Sequence, residues 1–561
     1  MMREPEQAKA PLRSPDIVLR LDRMGSAHQT RLSFLRALLR TAANEKWQFS
    51  RPRFDIDARG VGTAVYQVDA GERSYSLVCF SHDLPPDKRT DRVIAEAWDA
   101  TFALFDGTPT QADIQRLFAN VPGQEAGRYL ASELVLARAN RSVRLFDHVI
   151  DVLASGLQPD LASIDATGYL MRTTAVYGNG KFGIADRDRI QSRPEMSGPF
   201  RAEMLTVYLI RAFTVDLAEH MARLRAPDRA VALAPALRRR LGVGNATGLG
   251  MAPFLVRHPL LLHRWISARE TALARVRSLA AADETTRARF LSALASGRRQ
   301  LSHWTTDDSV QAPRIAALAA DLERLEQVVQ SDALLHRPYP WDAIYRWAER
   351  QLSLEGQEFA VSLLLEPHGA LVDDLATQMS ANEAADFGID GAQRCGDLLA
   401  DIARCYPWAL ATDFTHPDKA ALFWYVSEEK LEPRLGVRAT EPGADLEQPL
   451  AVARDASLLQ AALRSESPDT LVGAYLLRFP EHRHAVRRAQ ILTRYPYAEI
   501  RDNLIGSDLR AVDILRCKLA FFGATRFDPR SDKWVRITLY QGAPFPNELA
   551  ARDWDDWIWT A

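Results

Sequence analysis

Apolar positions recur at spacings of three and four through the middle of the chain, and they alternate with polar ones only near its two ends. From about residue 110 to 385 this predicts helices nearly throughout, with long ones at 127–154, 199–223, 252–280, 284–299, 312–331 and 340–353, and few strands. Ile315, Leu318, Leu322, Leu325 and Val329 keep a 3-4-3-4 rhythm, enough for an antiparallel helical hairpin and too short for an extended coiled coil. Gln29 to Trp47 has helical spacing, and so does Asp91 to Gly107, where Val93, Ile94, Ala97, Trp98 and Phe102 share one face.

Between those two stretches, Gly62 to Ser81 alternates around Asp69-Ala70-Gly71-Glu72 and reads as a β-hairpin. The last third is mixed. Ala421–Val426 and Trp534–Tyr540 read as strands, Leu458–Leu463 and Ala485–Leu492 as helices, and Pro442-Gly443 and Asp528-Pro529 as loops. Pro5, Pro11 and Pro15 make the first 25 residues a mobile arm.

The expected fold class is therefore mainly α with α+β terminal regions. A chain of 561 residues exceeds the size of one growing core. The division expected is an arm at 1–25, an α+β domain at 26–160, a helical domain at 161–385 and an α+β domain at 386–561, with small mixed sheets near the two ends.

Composition narrows the function by exclusion. Seventy basic residues against 72 acidic ones leave a formal charge of -2, so no bulk field collects nucleic acid or an anionic membrane. No stretch of 18 apolar residues occurs; the best, Phe254 to Ile266, is broken by Arg257, His258, His263 and Arg264. Four scattered cysteines, none in a C-x-x-C pair, read as reduced thiols or buried small hydrophobes. With no secretory run at the N-terminus, the expected compartment is the cytoplasm.

Two glycine-rich stretches carry the candidate chemistry. Tyr177-Gly178-Asn179-Gly180-Lys181-Phe182-Gly183 follows an extended Thr173–Val176; its glycines can turn successive amides toward an anion, with Lys181 at the centre. The bland alternative is a tight turn with an exposed lysine. A Walker A loop is excluded, because position 175 is Ala and 182 is Phe. Gly242 to Gly250 carries four glycines with Asn245 and Thr247, and reads as a loop joining two helices, with Pro253 in the first turn of the second. Thr247 stands where a dinucleotide fingerprint needs glycine.

Beyond this loop, Arg257 and His258 are placed to meet a ligand held at a helix N-terminus. His258 and His263 are spaced wrongly for a zinc pair, and no H-E-x-x-H or G-x-S-x-G occurs. Arg187 or Arg193, in the charged run 186–195, could clamp the same anion. Tyr495-Pro496-Tyr497 and Gln541 to Pro546 either cover a pocket or lock irregular chain onto a core. Trp554, Trp557 and Trp559 pin the C-terminus to the body or to a second subunit, which makes a homodimer a candidate assembly.

The expectation is an enzyme of small-molecule metabolism, a lyase or isomerase in preference to a hydrolase, that binds a small carboxylate or phosphate and needs neither cofactor nor metal. Lys181, His258 and Tyr177 would be catalytic. Asn179, Gly180, Arg187, Asn245, Thr247 and Arg257 would bind substrate. The alternative is a non-catalytic helical binding or scaffold protein.

Overall fold

The computed structural model describes residues 10–20, 23–26, 28–85, 97–121, 130–175, 190, 192–247, 258–331, 333–380, 386–413, 424–427, 433–435, 447–449, 452–501, 516–529 and 535–549. The protein is mainly helical with a mixed sheet. The hairpin forms as expected, β2 (Gly62–Ala70) against β3 (Arg73–Ser81), and β1 (Gln48–Ile56) pairs with the outer edge of β2. Then come β4 (Ala100–Asp106), β5 (Glu133–Arg141), β6 (Tyr169–Thr173) and β7 (Gly242–Thr247).

A three-stranded sheet follows, from β8 (Trp424–Ser427), β9 (Pro433–Leu435) and β10 (Glu447–Pro449). Finally β11 (Arg526–Pro529) and β12 (Val535–Leu539) return to the first sheet, whose order is β1-β2-β3-β4-β5-β6-β7-β12-β11. Where small separate sheets were expected near the two ends, one nine-stranded sheet joins strands from both. All its neighbours run antiparallel except β6 and β7, which are parallel.

Four stretches expected to be helix or loop contain strands. Within 91–107, residues 100–106 are β4, and within 127–154 only Phe146–Ala154 is helical, after β5. The pattern misleads because this sheet is covered on both sides, so period-two alternation is lost. Tyr66, Leu77, Phe102 and Ala137 face one core, while Val65, Val78, Ala103 and Leu136 pack with Ile114 and Leu117 of helix Gln111–Asn120 in another. Asp528-Pro529 closes β11 instead of forming a loop.

The expected loop at 242–250 is β7 over its first six residues. Gly242 and Gly244 serve close packing there and not a left-handed turn. A Cβ on Gly244 would sit 2.8 Å from the Tyr169 ring, and one on Gly242 2.4 Å from the Leu539 carbonyl.

The larger core is organised by four helices: α1 (Phe34–Asn44), α2 (Arg201–Arg225), α3 (Pro235–Arg240) and α4 (Pro259–Arg277). Helix α2 packs on β2, β3, β5, β6 and β7, and its buried residues run almost unbroken from Ala202 to Ala222 before an exposed last turn. Arg211 in its middle is fully buried without a carboxylate. It donates instead to the carbonyls of Leu241 (2.6 Å), Ala543 (2.8 Å) and Arg239 (3.0 Å), and burial pulls its pKa down to about 9. That guanidinium ties the entry of β7 and the chain after β12 to α2.

Helices Glu284–Ser302, Gln311–Ser331, Pro340–Gln351 and Leu354–Leu365 complete this body, with Leu318, Leu322, Leu325 and Val329 buried as their rhythm predicts. Residues 10–20, inside the arm marked by the prolines, are packed down: Val18 and Leu19 are buried, and Arg13 forks onto both Glu270 and Glu358. Among the described residues no helix is long and apolar enough to cross a membrane.

Candidate functional site

The parallel pairing of β6 and β7 places their carboxyl ends side by side, with Tyr169 opposite Gly242 and Arg172 opposite Gly244. The first glycine-rich stretch begins four residues after β6, and the second is β7 itself through Thr247; residues 176–189 and 248–250 lie outside the described residues. Here Asn245 is buried, its Nδ2 donating to the Thr173 carbonyl at 3.0 Å while its Oδ1 has no partner. Ala175 closes β6 by donating to the Thr173 hydroxyl at 3.1 Å.

Helix α2 starts beside the carboxyl end of β4, whereas Thr173 stands level, across Ala139, with Ala100 at the start of β4. The chain reaches α2 through Arg193, which forks onto Asp106 at the end of β4 (2.6 and 3.0 Å) and lies 3.3 Å from the Tyr75 hydroxyl. Arg193 is therefore a clamp, but one whose anion is supplied by the protein. Tyr75 donates to Glu195, and burial with that contact raises its pKa. Phe200 then turns left-handed (φ 54°) immediately before α2, whose N-terminus has no side-chain cap.

In the first turn stands Arg201. Among the described residues its guanidinium makes one hydrogen bond, Nη1 to the Glu195 carbonyl at 3.1 Å, and its buried Nε has no partner. Burial lowers its pKa, with Glu45 and Glu195 opposing from beyond ion-pair distance. Gly198 makes room for it, since a Cβ there would fall 2.2 Å from the Arg201 Nε. A half-buried cation with no ion pair among the described residues, in the first turn of a 25-residue helix, is a place where an anion is stabilised by charge and dipole together.

Helix α4 approaches the same place. Trp265 packs 6.0 Å, centroid to centroid, from Phe200 and 4.9 Å from Phe34. Its half-buried N-cap, His258, precedes Trp265 by seven residues, about 10 Å along the axis. The helix runs from Pro259, and residues 252–257 of the expected helix lie outside the described residues.

Of the expected site residues, Asn245 lies beside the end of β6 and His258 stands at the N-cap of α4. Thr247 ends β7 with its backbone opposite Val535, and its side chain lies outside the described residues. So do Tyr177, Asn179, Gly180, Lys181, Arg187 and Arg257. Arg201 was missed, because nothing in its local spacing separates it from the many other arginines. The one available signal was Gly198-Pro199 just before a long helix.

The thiols offer no alternative chemistry. Cys79 and Cys517 are buried, and burial pushes the Cys517 thiol up to about 12. Among the described residues no group of three or more His, Cys, Asp or Glu could hold a metal ion. Compared with family descriptions, curated proteins and solved structures, the chain matches none.

Proposed function

We propose that the chain is a cytoplasmic enzyme acting on a small anionic metabolite, a carboxylate or phosphate, by cofactor-independent acid–base chemistry of the lyase or isomerase type. The observation that supports this reading is the parallel pairing of β6 and β7, from whose carboxyl ends the two glycine-rich stretches continue, together with the uncapped start of α2 with Arg201 in its first turn. In this reading Arg201 and the α2 dipole attract the anion. Lys181, the amides around Asn179 and Gly180, and Arg187, Asn245, Thr247 and Arg257 hold it, and His258 or Tyr177 moves the proton.

A thermal-shift screen of small carboxylates and phosphates tests it. A ligand at about 100 times its Kd stabilises the folded state by ~2.7 kcal/mol. The reading expects a stabilising anion whose effect disappears in Lys181→Ala and in Arg201→Met, followed by turnover of that compound or a close analogue. No stabilising anion, or one equally effective on both variants, refutes it and leaves a binding or scaffold protein.

A further inference from the structure

Away from the carboxyl ends of β6 and β7, a cavity of about 840 Å³ opens between the C-terminal end of α1, strands β1 and β2, the middle of α2, helix α3 and the chain at 545–549. This falls within the range of small-molecule sites, roughly 300–1,000 Å³. Its walls are aromatic and aliphatic, with Trp47, Phe49, Phe545 and Leu209 among them. Its charged groups are Lys46, Arg51, Arg238 and Asp216, so the lining carries two more positive charges than negative.

Asp216 orders this lining. Its Oδ2 accepts from Arg51 Nη1 (2.8 Å) and the Tyr66 hydroxyl (2.7 Å), and its Oδ1 accepts from Arg238 Nη2 (3.2 Å). Each guanidinium spends one nitrogen on the carboxylate, and Arg238 Nη1 also lies 4.0 Å from Glu219. Among the described residues the Arg238 Nε is buried without a partner, and its guanidinium lies 4.4 Å from the centre of the Phe545 ring, which Arg211 also approaches at 4.0 Å.

Lys46 adds a separate observation. It terminates α1 in the left-handed conformation (φ 56°), its amide donating to the Ala43 carbonyl (3.2 Å) and that of Trp47 to Ala42 (2.9 Å). Glycine is the residue that suits this position. An exposed lysine held there at a conformational cost, beside a cavity already rich in guanidinium, is what an anion site at its mouth requires.

We infer that this cavity binds a small aromatic carboxylate, its ring against Phe49 and Trp47 and its carboxylate between Arg51, Arg238 and Lys46. The site is distinct from the carboxyl ends of β6 and β7 and stands independently of the function proposed there.

Titration calorimetry with 2-naphthoate, and with 2-naphthamide as the neutral analogue, tests it on the full chain. Naphthoate binds and the amide binds far more weakly. Arg51→Gln, a change at a half-exposed side chain, weakens naphthoate about tenfold, as does Arg238→Met if that variant folds. Lys46→Gly gives two opposite readouts: affinity falls while the thermal midpoint rises, since glycine relieves the left-handed position. Arg201→Met leaves naphthoate binding unchanged. The inference is overturned if naphthoate does not bind at about millimolar concentration, if the amide binds as well, if Arg51→Gln retains full affinity, or if Arg201→Met abolishes binding.

Discussion

Replacing Arg13 by alanine should release the N-terminal segment from the body. Its guanidinium meets Glu270 through Nε (2.7 Å) and Nη2 (2.8 Å), and Glu358 through Nη1 (2.7 Å) and Nη2 (3.1 Å), so both carboxylates are held bidentately. Both are almost wholly buried. Without Arg13 they keep Arg269, at 3.2 Å from Glu270 and 3.8 Å from Glu358, and the more distant Arg23. Breaking one partner out of such a buried group costs about 3–5 kcal/mol, because the remaining charges cannot regain water.

The loss should depend on pH. Burial pushes the Glu270 carboxyl up, but Arg13 and Arg269 outweigh it and hold the pKa below 4.5. A depressed carboxylate contributes stability that is present above the unfolded pKa and lost as pH falls through the folded one. In Arg13→Ala that contribution is reduced, so the deficit is full from neutrality down to about pH 4.5 and shrinks only below it, as the Glu270 carboxyl takes up its proton. A chain this long does not unfold in one step, so the readout is amide exchange at Val18, Leu19 and Met24, which donate to Ser14, Pro15 and Arg20. A variant that exchanges like the wild type, or whose deficit is the same at pH 7 and at about pH 3, contradicts the reasoning.

Three further outcomes follow from the same structure. Gly244→Ala places a Cβ 2.8–2.9 Å from three Tyr169 ring atoms and should cost about 1–3 kcal/mol in denaturant unfolding, relieved by adding Tyr169→Leu; no relief would mean the glycine is needed for another reason. Gly198→Ala should displace the Arg201 guanidinium, so that anion stabilisation in the thermal-shift screen weakens as it does in Arg201→Met. Burial lowers His28, His263 and His368 to about 4 each, so each depressed imidazole contributes stability above pH 6.5 that is lost as pH falls toward 4. Thermal midpoints should accordingly fall between pH 7 and pH 5, and a flat profile would show that these rings are not buried neutral.

The helices were legible wherever one face meets a core and the other meets water. The spacing at 199–223, 284–299, 312–331 and 340–353 maps almost residue for residue onto helices in the structure. β4, β5 and β7 were not legible, for a shared reason: central strands with cores on both sides show no alternation, and the glycines of β7 imitate a loop when they are spaces left for Tyr169 and the Leu539 carbonyl. The sequence did show which stretches were chemically unusual. It could not show that they emerge side by side, because that depends on pairing between strands about seventy residues apart, nor that Arg201 makes no ion pair among the described residues, which depends on what packs around it.

Hydrogen–deuterium exchange with and without the anion found in the screen tests the central claim most directly. The account predicts that peptides spanning 176–189 and 248–257 gain protection together, along with the first turn of α2, and that Arg201→Met removes the effect from all three. Protection confined to one of the two glycine-rich stretches, or found only around 46–51 and 545–549, would contradict it.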